Sequence, residues 1–144
     1  KFIRISDPAN KNLKTSSLPH KVNTLDENFL ILKKESLVAF SNDLCGFHFY
    51  GTDLCQQAES RGYSCYVIDF HLEHLSSGNK GKLFDQARTR FIEKYQSKLQ
   101  TRFIRMTTGR ICLSGSLLLS KLFNNKHILF ILRKTKLNHF FSKK

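Results

Sequence analysis

Residues 52–68 constrain the fold more than any other stretch, because a helix with both ends marked runs straight into a strand. Thr52 is a residue that caps helix starts with its hydroxyl. Asp53 to Ser60 follows with helix-compatible spacing, and Leu54, Cys55 and Ala58 share one face. Arg61-Gly62 closes the helix, since glycine takes the left-handed conformation of a C-terminal cap without strain. Tyr63-Ser-Cys-Tyr-Val-Ile68 then reads as a strand. Helix followed directly by strand indicates an α/β layer, and 144 residues suit one domain with a real core.

The remaining elements follow from periodicity and breakers. Phe2-Ile-Arg-Ile5 reads as a short strand, and Asp7-Pro8 as a turn within an irregular lead-in over 1–23. Phe29-Leu-Ile-Leu32, an apolar run bounded by charge, predicts a buried strand. Glu35 to Phe40 reads as a short helix or turn. The clearest helix is Leu83 to Leu99, where Phe84, Ala87, Phe91, Tyr95 and Leu99 recur at spacings of three and four. Strands are predicted at Phe103–Met106 and Ile111–Leu113, flanking Thr107-Thr-Gly109. Leu117 to Phe123 reads as helix, Asn124-Asn125 breaks it, and Ile128–Leu132 fits strand or helix.

Charge divides the chain. Residues 1–93 hold twelve Lys/Arg and all eleven Asp/Glu, whereas residues 94–144 hold twelve Lys/Arg and no acid. The basic excess therefore belongs to the C-terminal part, with 115–144 a basic, hydrophobic extension. Two readings stay open for it: a solvated extension, or a surface for anionic lipid or another polyanion. A polyanion-binding module is thus the alternative to an enzyme, although no nucleic-acid-binding motif is present and the balanced front part makes nucleic acid a poor partner. Cys45, Cys55, Cys65 and Cys112 form no Cys-x-x-Cys pair, and no secretory signal is visible. Reduced, mostly buried thiols in a cytoplasmic protein are expected, peripheral to the inner face of the membrane if the tail meets lipid. No run approaches the roughly 18 apolar residues of a membrane span.

Two segments carry candidate chemistry. The first is Phe47-His48-Phe49-Tyr50-Gly51-Thr52-Asp53-Leu54-Cys55, the second His71-Leu-Glu-His74-Leu-Ser-Ser-Gly78. An aromatic, glycine-containing turn delivers a carboxylate to a helix start, where free N–H groups favour its ionised form. That position equally suits an ordinary helix-start acid. Together with Thr24-Leu-Asp-Glu-Asn-Phe-Leu-Ile-Leu-Lys-Lys34, these segments resemble the acceptor half of a GT-A-type glycosyltransferase of the family 2 kind, over about residues 22–95.

The resemblance implies a partial GT-A-type mixed sheet with packed helices, with 24–114 as the C-terminal half of a catalytic domain. It implies transfer of a sugar from a nucleotide-sugar donor to a hydroxyl acceptor. Asp53 would be the base for the acceptor hydroxyl, and His74 a ligand to a divalent ion, Mn or Mg, on the diphosphate. Asp26, with Glu27 beside it, His48 and Tyr50 would contact the acceptor, and Lys80 and Lys82 the donor diphosphate; the Asp26-Glu27 pair equally suits the plain start of a strand. For the two lysines a solvated charged loop is the plainer reading, and for His71 a structural role. No Asp-x-Asp and no glycine-rich phosphate loop occur. The N-terminal nucleotide-binding half is therefore read as absent, and the fragment is expected to be inactive without it.

Overall fold

The computed structural model of the chain describes residues 5–6, 17–44, 46–70, 72–73, 81–96, 101–106 and 109–134. In chain order the elements are β1 (Ile5–Ser6), β2 (His20–Val22), a 3₁₀ turn (Lys34–Ser36), α1 (Tyr50–Ser60), β3 (Cys65–Val67), β4 (Leu72–Glu73), α2 (Lys82–Gln96), β5 (Arg102–Met106), β6 (Gly109–Leu113), α3 (Leu117–Asn124) and α4 (Lys126–Lys134). The fold is mixed α/β. The chain forms two compact units, Lys1–Arg88 and Thr89–Lys144, and their boundary falls inside α2.

The described strands form three two-stranded ladders, not the continuous mixed sheet of the GT-A type. In the first unit β1 pairs in parallel with β4, and β2 pairs antiparallel with β3, setting Val22 opposite Cys65. The core of this unit gathers around α1, where Leu54, Cys55 and Ala58 are buried with Leu44 and Phe49.

Two sequence expectations need correction here. Helix α1 begins at Tyr50, and Thr52 lies buried inside its first turn instead of capping it. The N-cap is Phe49, left-handed at φ 71° and without a side-chain capping bond. Packing decides this start: the Phe49 ring is 2% exposed and lies against Phe84 at 5.2 Å between centroids, which outweighs the roughly 1–2 kcal/mol cost of the left-handed backbone. The second correction concerns Phe29–Leu32, which enters no ladder and is exposed, Phe29 by 50% and Ile31 by 70%. The chain around this run is bound to side chains of the α1 region instead. The Glu27 carbonyl accepts from the Tyr50 hydroxyl, the Glu35 carbonyl from the Tyr63 hydroxyl, and the Ala39 carbonyl from Gln57 Nε2.

The second unit follows the sequence more closely. On α2, Phe91 and Tyr95 are buried as the stripe predicts, and so is Ile92, which lies outside that stripe. Strands β5 and β6 form an antiparallel hairpin with Ile104 opposite Ile111 and Phe103 opposite Cys112. Helix α3 packs on β6, and Asn124 at its last turn joins the two. Its Oδ1 accepts from the Cys112 N–H at 3.0 Å, and its Nδ2 donates to the Cys112 carbonyl at 2.7 Å and to the Ser120 carbonyl at 2.9 Å. Asn125 ends α3, and its side chain then accepts from the His127 N–H, so Ile128–Leu132 continues as helix. No helix among the described residues is long and apolar enough to cross a membrane.

Candidate functional site

The N-terminal turn of α1 receives the chain segment 25–27, and this is where titratable groups converge. The approach is close: a Cβ on Gly51 would stand 2.8 Å from the Leu25 carbonyl oxygen. With glycine there, the Gly51 N–H donates to Glu27 Oε1 at 3.3 Å, and the Tyr50 hydroxyl donates to the Glu27 carbonyl at 2.8 Å. Asp26 Oδ1 accepts from the Glu27 N–H at 3.1 Å.

Burial raises the Glu27 carboxyl to about 7, helped by the Asp26 charge and by a hydrogen bond between the two side chains, while the Gly51 N–H works in the opposite direction. Desolvation, Glu27 and Asp26 push the Tyr50 hydroxyl up as well. A carboxyl that titrates near neutrality can give and take a proton under physiological conditions, and such groups mark candidate functional sites. Here the group also fastens 25–27 to α1.

The other predicted site residues are arranged differently. Asp53 is 1% exposed. Its Oδ2 accepts from the Ser41 hydroxyl at 2.6 Å and from Gln57 Nε2 at 2.7 Å, and Gln57 also reaches the Ser41 hydroxyl and the Ala39 carbonyl. This network ties the loop over 39–41 to α1. His48 lies edge-on to Phe84 at 5.2 Å. Lys82 is exposed at the start of α2. His74 and Lys80 lie outside the described residues. Asp26 and Tyr50 are thus brought together around Glu27, and Asp53 belongs to a separate buried network. Among the described residues, no group of three or more His, Cys, Asp or Glu side chains is placed to hold a metal ion.

Sequence reading missed two features. One is the neutral-range carboxyl of Glu27, which depends on the close approach at Gly51. The other is a thiol pair: Cys55 on α1 and Cys65 on β3 are hydrogen-bonded to each other. Their ten-residue spacing was visible, and a helix packed on the strand that follows it is the signal that pairs them.

Among curated proteins, the chain is similar to "ATP synthase subunits region ORF 6" from Fuscovulum blasticum, at 37% identity over 113 residues. The match covers 78% of this chain and 45% of the relative, so the chain spans less than half of that protein's length. No family model matches the chain. These findings overturn the glycosyltransferase reading, with the nucleotide-sugar chemistry that depended on it: the relative's name carries no such activity, and no glycosyltransferase family is matched. The alternative of a polyanion-binding module gains no support either. The short aromatic-glycine and His-Ser segments that suggested a transferase are individually common, and their order along the chain was insufficient to identify one.

Proposed function

We propose that this chain is a protein-binding domain, and that the segment 29–40 is its contact surface. One observation carries the reading: a row of apolar side chains is held outward on a backbone that is tied down. Phe29, Ile31, Leu32, Leu37 and Phe40 are all exposed, Leu37 by 79% and Phe40 by 67%. Phe70, itself exposed, stacks on Phe29 at 4.7 Å, and Phe40 meets Tyr50 edge-on at 5.5 Å.

The hydrogen bonds at Glu27, Glu35 and Ala39 fix the backbone beneath these side chains. A fixed apolar surface binds with little ordering cost, and clustered exposed apolar side chains on a folded protein mark interaction sites. The partner is a protein with a complementary apolar recess. The relative's name, which refers to the region of the ATP synthase subunits, makes those subunits the first partners to test.

The full chain should bind a purified ATP synthase subunit in surface plasmon resonance. The triple variant Phe29→Ser, Ile31→Ser, Leu32→Ser should bind at least about tenfold more weakly, as removal of central apolar anchors does. Absence of binding to every subunit, or equal binding by the variant, would overturn the proposal.

A further inference from the structure

We propose that Cys55 and Cys65 form a reversible intramolecular disulfide, so that the α1–β3 junction of this domain is a thiol-oxidation site. The proposal rests on placement and is independent of the protein-binding reading. Cys55 sits on the buried face of α1, and Cys65 is the first residue of β3, which packs against that helix. The chain reverses between them at Arg61-Gly62, where Gly62 takes φ 81°. The reversal brings the two thiols into mutual hydrogen bonding. Both are free thiols in this structure. Two hydrogen-bonded thiols on a helix and the strand packed against it, joined by a short exposed reversal, meet the first geometric requirement of a disulfide.

The two thiols differ in a way that assigns their roles. Cys65 is half-buried, and Cys55 is buried. The hydrogen bond from the Cys55 thiol lowers Cys65 to about 7, whereas the same bond and burial push Cys55 up. Cys65, the more accessible of the two, is therefore the thiol that meets an oxidant, and Cys55 is the resolving thiol. The oxidant is a low-molecular-weight disulfide such as oxidised glutathione. Cys65 Sγ attacks one of its sulfurs; the glutathione S–S bond breaks, one glutathione thiolate leaves, and a mixed disulfide remains on Cys65. Cys55 then loses its proton to the departing thiolate, and its sulfur attacks Cys65 Sγ. The mixed disulfide breaks and the second glutathione leaves. Two protein thiols lose two electrons and two protons, and one oxidised glutathione becomes two reduced molecules.

The experiment equilibrates the purified full chain in glutathione buffers from reducing to oxidising, then acid-quenches, alkylates and maps the peptides. The expected result is a Cys55–Cys65 linked peptide, a mass loss of two hydrogen atoms from the chain, and full recovery of both thiols on returning to reduced glutathione. Cys55→Ser should trap one glutathione on Cys65, and Cys65→Ser should leave Cys55 unmodified. The proposal is overturned if both thiols stay alkylatable in the most oxidising buffer. It is equally overturned if the disulfide maps to Cys45 or Cys112, or if Cys55→Ser takes up no glutathione.

Discussion

Glu27 shows how a residue's surroundings reverse its ordinary behaviour. Its carboxyl keeps a proton up to about pH 7 in the folded chain, against an ordinary value of 4.5. Between those values the folded state binds more protons than the unfolded state. The contribution from this group is therefore full below about 4.5 and is lost as pH rises through 7, a span worth up to about 3 kcal/mol. Glu27→Gln keeps an oxygen for the Gly51 N–H and removes the titration. Urea unfolding should show the variant's stability flatter between pH 4.5 and 7, and above the parent's at pH 8. The neighbouring Gly51→Ala should destabilise by about 1–3 kcal/mol, because its Cβ meets the Leu25 carbonyl. An open helix position would respond with the opposite sign, since alanine is the better helix former. Glu27 was legible as a charged residue beside Asp26, but its near-neutral carboxyl was not, because nothing local in 25–27 indicates that α1 will press against it.

At the level of elements, what could be read depended on whether local chemistry or packing decided the outcome. The end of α1 was legible because Gly62 supplies the positive φ that the reversal needs. Its start was not, because burial of Phe49 moved the cap from Thr52. The α2 stripe was legible in period and face. Phe91 is fully buried there, and Phe91→Ala should cost about 3–5 kcal/mol in denaturant unfolding. The apolar run 29–32 was misread because a buried strand and an exposed contact segment share one composition. The serine triple variant at 29, 31 and 32 discriminates between them: a buried strand would lose several kcal/mol, whereas this surface should change in stability by about 0.5 kcal/mol or less per site. The α3–β6 junction makes the contrasting claim. Asn124→Ala removes both partners of the buried Cys112 backbone. At about 1–3 kcal/mol for each buried group left unsatisfied, the variant should lose several kcal/mol, measurable by thermal unfolding.

Across the molecule, the mixed α/β class was legible from alternating periods, whereas the arrangement into separate short ladders was not. Sheet continuity depends on long-range pairing, which no residue of 29–32 announces. The candidate site was half legible: Asp26 and Tyr50 were marked, but the carboxyl between them and the thiol pair arise from contacts that spacing does not display. The Asn124 clamp also bears on how the chain behaves in company. Cys112 faces Phe103 in the hairpin but directs its own N–H and carbonyl to the asparagine, away from β5. Those two groups are what an incoming strand would seize, and the side chain occupies them as a strand would. Asn124 thus insulates the hairpin from copies of itself. In a concentrated solution the Asn124→Ala chain should gain light scattering on gentle warming before its helices melt, while the parent stays clear until it unfolds.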